Sequence, residues 1–146
     1  MYRVLAPIDS DEPRTRAQIE AIRDLPEAAE SVRVDLLHVH EEIDAPGDEA
    51  GTSYIRELNE RIEDLQGTPD TVGIAVEELE NAGIEAEIHD ITGEPVSAIL
   101  EVAEEFDVDA IVVGTRSQTP VGKVVFGSVA QGVIIDSDRP VLVATP

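Results

Sequence analysis

The sequence predicts an α/β fold: one doubly wound, three-layer domain whose five-stranded parallel sheet has the order 3-2-1-4-5, with helices on both faces. Short runs rich in Val, Ile, Leu and Ala alternate with amphipathic stretches along the chain. Strands that are separated by helices and apolar on both sides belong to parallel sheets covered on both faces. Right-handed crossovers then leave few ways to order five strands, and the doubly wound arrangement is the natural one. With 146 residues and no internal repeat, residues 1–146 read as a single domain large enough to bury one core.

Residues 3–8 (RVLAPI) form the first strand, closed by the turn-forming Asp9-Ser10-Asp11-Glu12-Pro13. Pro13 suits a first helical turn, where its missing N–H is no loss. Ala17, Ile19, Ala21, Ile22 and Leu25 give an apolar face to a helix over residues 14–29, which Pro26 ends or kinks. Residues 32–40 (VRVDLLHVH) alternate as a second strand, and an acidic, glycine-bearing loop follows over 41–52. Ile55, Leu58, Ile62 and Leu65 recur at helical spacing and predict a surface helix over 54–66. Thr68 caps the next helix, with Pro69 in its first turn and Gly83 at its C-terminal end. Residues 84–91 (IEAEIHDI) are the third strand, and Gly93-Glu94-Pro95 turns into a helix over 95–106 that buries Val96, Ile99, Leu100 and Ala103. Residues 109–114, 128–137 and 140–144 complete the pattern as strand, helix and strand.

Ten Lys plus Arg stand against thirty-two Asp plus Glu, for a formal net charge of -22. Such a surface repels nucleic-acid phosphates and anionic lipid heads, so neither nucleic acid nor membrane is an expected partner. The 42% of hydrophobic residues falls in regular blocks, which argues against disorder and for a packed fold, and the acidic charge then reads as a salt-adapted surface. At molar salt the Debye length falls to about 3 Å, which screens the self-repulsion and admits an anionic ligand; a halophilic source is expected. The absence of cysteine excludes disulfides, thiolate nucleophiles and cysteine-bound metal. Met1 leads directly into a strand with no basic and apolar leader pattern, so a cytoplasmic protein is expected.

The most informative segment is 114–129, GTRSQTPVGKVVFGSV. A strand ends at Gly114, and Gly127-Ser128 opens the next helix. Free N–H groups and the positive dipole end at such an opening favour anions. An ordinary strand-to-helix connection, with glycines serving only the turn, accounts for the same residues. In the predicted strand order, Asp9 and this loop share the crevice at the switch point between the first and fourth strands, where ligands bind in such sheets.

Taken together, VLAPID, LLHVHEE, IVVGTRS, the nine residues QTPVGKVVF, GSVAQGVI and RPVLVA resemble the universal stress protein family over essentially the whole chain, a fold of the adenine nucleotide alpha hydrolase type. The family's pattern is a glycine, two residues, a second glycine, nine residues, then glycine with serine or threonine. Gly114, the spacer 118–126 and Gly127-Ser128 match it, and Ser117 stands where the second glycine would be. The resemblance implies an adenine nucleotide, ATP with magnesium, as the ligand. Pro7 and Asp9 would meet its adenosine end, and Val39 would receive the adenine edge through its backbone. Gly114, Thr115, Arg116 and Ser117 would border the phosphates on one side. Gly127, Ser128 and Val129 would donate from the helix opening. Lys123, the one lysine of the chain, adds a cation with Arg116. Ser117 brings a hydroxyl donor, whereas Pro120 removes an N–H from the loop. The bland alternatives are a cap of the following helix for Asp9 and pairing with surface carboxylates for Arg116 and Lys123.

His38 and His40 lie two apart on one strand face and His89 on another strand. Without a third placed ligand they read as packing or hydrogen-bonded residues, and no metal site is assigned. No serine-histidine-aspartate arrangement follows from spacing, and HxGH and SGGxDS segments are absent, so no catalytic residue is named. The expected function is a small ATP-binding stress or regulatory protein, homodimeric through the apolar final strand, with a regulatory protein partner of unknown identity. A dimeric interaction module that has lost the nucleotide, with Ser117 and Pro120 marking the loss, is the alternative.

Overall fold

The computed structural model describes residues 1–41, 69–116 and 126–146. The expected helix over 54–66, the loop beyond Glu41, Thr68, Ser117, Pro120 and Lys123 lie outside the described residues. Five strands, β1 (Tyr2–Pro7), β2 (Val32–Glu41), β3 (Glu85–Gly93), β4 (Ala110–Gly114) and β5 (Val141–Ala144), form one parallel sheet of order β3-β2-β1-β4-β5. The described helices are α1 (Glu12–Arg23), α2 (Ala28–Ser31), α3 (Asp70–Asn81), α4 (Pro95–Glu105) and α5 (Ser128–Asp136). No helix among the described residues is long and apolar enough to cross a membrane.

Successive strand residues point to opposite faces, so the apolar runs fill two separate cores. Val4, Ala6, Val34, Leu36 and Val112 pack with Ile19 and Ile22 of α1 and Val72, Ala75 and Leu79 of α3. Leu5, Leu37, Ile111 and Val113 pack with Ile99, Val102 and Ala103 of α4 and Ala130 and Val133 of α5. On that second face the helices approach closely. A Cβ on Gly132 would lie 2.7 Å from Val96 Cγ2, so a glycine that costs a helix interior about 1 kcal/mol is required by the close approach of α4.

The helix ends follow local chemistry, with two departures from expectation. Asp11 caps α1, accepting the Arg14 N–H at 3.0 Å, and the proline sits in the first turn. The expected helix over 14–29 is split: α1 stops at Arg23, and a four-residue α2 resumes at Ala28. Leu25 precedes Pro26, and the residue before a proline is driven out of the helical region. Pro69 occupies the N-cap position of α3 instead of its first turn. At the other end, Gly83 adopts φ +76° and donates to Glu80 O at 2.9 Å, the left-handed stop that favours glycine. Before α4, Glu94 accepts N–H groups from Val96 and Ser97, and these bonds hold its carboxyl below its ordinary value.

β1 pairs with β4 at Val4↔Ala110 and Leu5↔Ile111, after which β1 continues alongside β2 and β4 alongside β5. Gln18 of α1, 1% exposed, reaches into that parting and donates its amide to Pro7 O at 2.8 Å and Val112 O at 3.0 Å. Elsewhere in the sheet lies a buried charge. Asp35 has no accessible surface, and it accepts from Arg3 Nε at 2.6 Å, Arg3 Nη2 at 3.2 Å and His89 at 3.0 Å. The Arg3 guanidinium also stacks over Phe106. Burial pushes the Asp35 carboxyl up, but the bonds from Arg3 and His89 more than offset it, leaving the group below its ordinary value of 3.8.

A group whose folded pKa is depressed stabilises the fold above its unfolded value and loses that contribution as pH falls through the folded value. Asp35→Asn is therefore expected to lower stability at neutral pH by about 3 kcal/mol, since it leaves Arg3 without its carboxylate. The gap to the natural chain should narrow below about pH 4. Urea melts across that pH range measure both; a gap constant with pH would show that Asp35 is not the titrating group.

Candidate functional site

Where β1 and β4 part, their carboxyl ends open onto a crevice of about 280 Å³. Its apolar wall continues the core of the α4/α5 face through Leu37, Val39, Ile99, Val113 and Ala130. Its polar groups are Asp9, Arg14, Glu41, Arg116 and the opening of α5. Of the residues the sequence singles out, Pro7, Asp9, Val39, Gly114, Arg116, Gly127, Ser128 and Val129 line this space. Thr115 is not among the lining residues. It is buried with its N–H on Ala144 O at 2.9 Å and its hydroxyl 3.2 Å from Arg116 O, so it ties the loop to β5. Ser117 and Lys123 lie outside the described residues.

The capping role that competed for Asp9 belongs to Asp11. Asp9 instead accepts the Asp11 N–H at 2.9 Å through one carboxylate oxygen and pairs with Arg14 through the other. Its backbone carbonyl accepts from the Thr71 hydroxyl at 2.5 Å, which anchors the turn to α3. Arg14 is a cation of the site that sequence reasoning missed. Besides Asp9 it reaches Thr115 O, 3.2 Å from its Nε, and so bridges the ends of β1 and β4. Its side chain lies across Gly114: a Cβ there would overlap Arg14 Cγ and stand 2.8 Å from Cδ. Gly114 is thus the gap through which Arg14 passes.

Gly127 plays a different part. It is the N-cap of α5, with φ -70° and ψ 161° and no side-chain cap, a conformation open to any residue. A Cβ at Gly127 would point to within 4.0 Å of Arg116 Nε, so the missing side chain leaves clear the space between the helix opening and that guanidinium. The first N–H groups of α5 have no intrahelical partner, and the helix dipole is positive there. Arg116 makes no ion pair among the described residues, although the chain carries thirty-two acidic side chains. A guanidinium without an ion pair among the described residues, set beside the first N–H groups of a helix, suits a phosphate-sized anion. The apolar wall beside Val39 suits a flat, weakly polar group. Besides Arg14, the lining residues Ile8, Leu37, Glu41, Pro95, Ile99, Val113 and Ala130 were not expected; the apolar ones carry no signal that separates them from core.

The family model that matches this chain is the universal stress protein family, over residues 1–145. A universal stress protein of Methanocaldococcus jannaschii is 36% identical over 66 residues, which is 45% of this chain and 41% of that protein. The match thus spans less than half of that relative's length. Among solved structures, a universal stress protein from Archaeoglobus fulgidus superposes with a TM-score of 0.68 at 25% identity, covering 99% of this chain and 98% of the other. A structure of the universal stress protein from the same organism in complex with dAMP gives 0.66 at 23% identity, covering 99% and 98%, a likeness of fold.

Gly114→Ala is expected to displace Arg14 and cost its bonds to Thr115 O and Asp9, lowering the melting temperature by several degrees, about 1 to 2 kcal/mol. Arg14→Ala should cost much less in the Gly114→Ala background than in the natural chain, because the two side chains compete for one space. Additive losses in a double-mutant cycle would separate the glycine from the arginine.

Proposed function

Because the chain belongs to the universal stress protein family, we propose that the crevice binds an adenine nucleotide, ATP in the first instance, and that the protein is a small stress-response regulator and not a dedicated enzyme. The observation that carries this reading is the pairing of Arg116 with the uncapped opening of α5 across Gly127. That arrangement supplies a phosphate end, and the apolar wall beside Val39 supplies a base end. The dAMP complex of the Archaeoglobus fulgidus protein supports an adenylate in a fold of this kind. Magnesium would be held by phosphate oxygens and water, as is usual for an ion that loses its hydration shell reluctantly. The same reading takes the protein as a homodimer through β5, an edge strand whose Val143 is 42% exposed. Unpaired edge groups and an apolar side chain favour a second copy of that strand.

Titration of ATP with magnesium into nucleotide-free protein at molar salt is expected to give saturable heat. Gly127→Val, which fills the space beside Arg116, should abolish it while leaving the fold intact by circular dichroism. No heat at millimolar ATP would sink the reading and leave the interaction module of the same fold; phosphate release from the same sample would reveal hydrolysis.

For the dimer, Val143→Lys should halve the mass measured by light scattering. An unchanged dimer mass would place the contact elsewhere, and a monomeric natural chain would end the proposal.

A further inference from the structure

On the other face of the sheet, behind the crevice, the alternation of β2 that turns Val39 toward α4 turns His38 and His40 toward the α1/α3 side, with Val34 and Leu36. Asp90 of β3 is the register partner of His38 and shares that face. His38 Nδ1, His40 Nε2 and Asp90 Oδ1 form a triangle with all three sides at 3.3 Å. Three such atoms cannot satisfy one another: each imidazole can offer a proton to the carboxylate, but the two ring nitrogens then face each other. The contact is close, with the rings edge to face at 4.3 Å between centroids.

We propose that His38, His40 and Asp90 bind a zinc-class divalent cation, a site separate from the nucleotide crevice. The argument is geometric first. Ligands about 2.0 Å from a tetrahedral zinc ion stand about 3.3 Å apart, and 3.3 Å is the length of every side of this triangle. Chemistry agrees. Two imidazole nitrogens and one carboxylate oxygen are the donor set of open zinc sites, where a water or ligand takes the fourth position. Asp90 is 37% exposed and opens the site to solvent, while His38 and His40, at 13% and 3%, are held in place by packing. His40 Nδ1 has no partner among the described residues; with the ion on Nε2 it would carry the ring proton. The sequence alone withheld this site because its third ligand is fifty residues away and becomes a neighbour only through the pairing of β2 with β3.

The second triad on the sheet, Asp35, Glu87 and His89, is not an equivalent candidate. Asp35 is already committed to Arg3 and His89, and Glu87 to Arg33. His89 therefore serves as an internal control.

Chelator-treated protein is titrated with zinc in the presence of millimolar magnesium, which occupies the diffuse carboxylate sites of so acidic a surface. One equivalent is expected to bind, and cobalt in place of zinc should give the intense visible bands of a tetrahedral centre. Asp90→Asn, a nearly isosteric change at an accessible position, should weaken zinc binding by at least about 10-fold, and His38→Gln likewise. The natural chain supplies a check that needs no variant: zinc should move the imidazole nitrogen resonances of His38 and His40 and leave those of His89 in place. Binding that both variants retain at full strength, or histidine resonances that zinc leaves unmoved, would assign the ion to surface carboxylates and overturn the proposal. So would the absence of saturable binding.

Discussion

The candidate crevice exists because β1 and β4 part at their carboxyl ends, and that parting depends on Gln18. Two paired strands satisfy each other's carbonyls, so strands that separate inside a protein leave acceptors without donors. Each such group costs about 1 to 3 kcal/mol when buried and unpartnered. The Gln18 amide serves Pro7 O on one strand and Val112 O on the other, with almost no exposure to water. Its amide orientation follows, since the reversed orientation would turn an oxygen toward two carbonyl oxygens. Oε1 is left without a partner among the described residues, a cost the geometry accepts to keep both strand ends supplied. One helical turn earlier, Arg14 repeats the device with Thr115 O and Asp9. Helix α1 thus holds the strand ends apart with side-chain donors where backbone donors no longer reach.

A net charge of -22 makes the placement of the few cations informative. Arg3 offsets the buried Asp35, Arg14 takes Asp9, Arg33 meets Glu87 and Arg139 meets Asp107. These pairs neutralise local charge and leave little to attract an anion. Arg116 differs because it stands at a helix opening whose partial charge is also positive, beside a glycine that adds no bulk. The phosphate end therefore depends mainly on fixed backbone dipoles and one guanidinium. Backbone dipoles at a helix end are positioned by the fold and need no side-chain ordering, which suits a surface otherwise hostile to anions.

The strand order was legible in the sequence because five apolar runs spaced by helices admit few right-handed arrangements. Boundaries were less legible: the period of the apolar residues carried the first helix past Pro26, whereas the backbone before that proline ends it at Arg23. At the site, segment 114–129 was visible through its glycines, but their reasons were not. Gly114 read as a loop residue beside phosphates, and it is the channel for a side chain one hundred residues earlier. Arg14 and Gln18 gave no separate signal, because polar residues on an amphipathic helix read as its solvent face. A hint was available in their spacing of four, which places them on one side, but only the position of β4 shows that side to be buried against strand ends.

The period-two alternation of β2 governs both candidate sites at once. Val32, Val34 and Leu36 sink into the α1/α3 core, which fixes His38 and His40 on that face and Val39 on the other. A shift of the strand by one residue would bring the histidines into the crevice wall, drive Val39 into the opposite core and turn Arg33 and Asp35 toward the face now filled by Val32, Val34 and Leu36. The continuous register with β3, from Arg33↔Glu85 to Glu41↔Gly93, and the bonds of Arg3 and His89 to the buried Asp35 oppose that slip. A displaced register would leave Asp35 as a buried charge without its partners, which is far costlier than losing apolar contacts alone. The acidic residue least suited to a strand interior is therefore what holds the strand in the register that keeps the two sites apart.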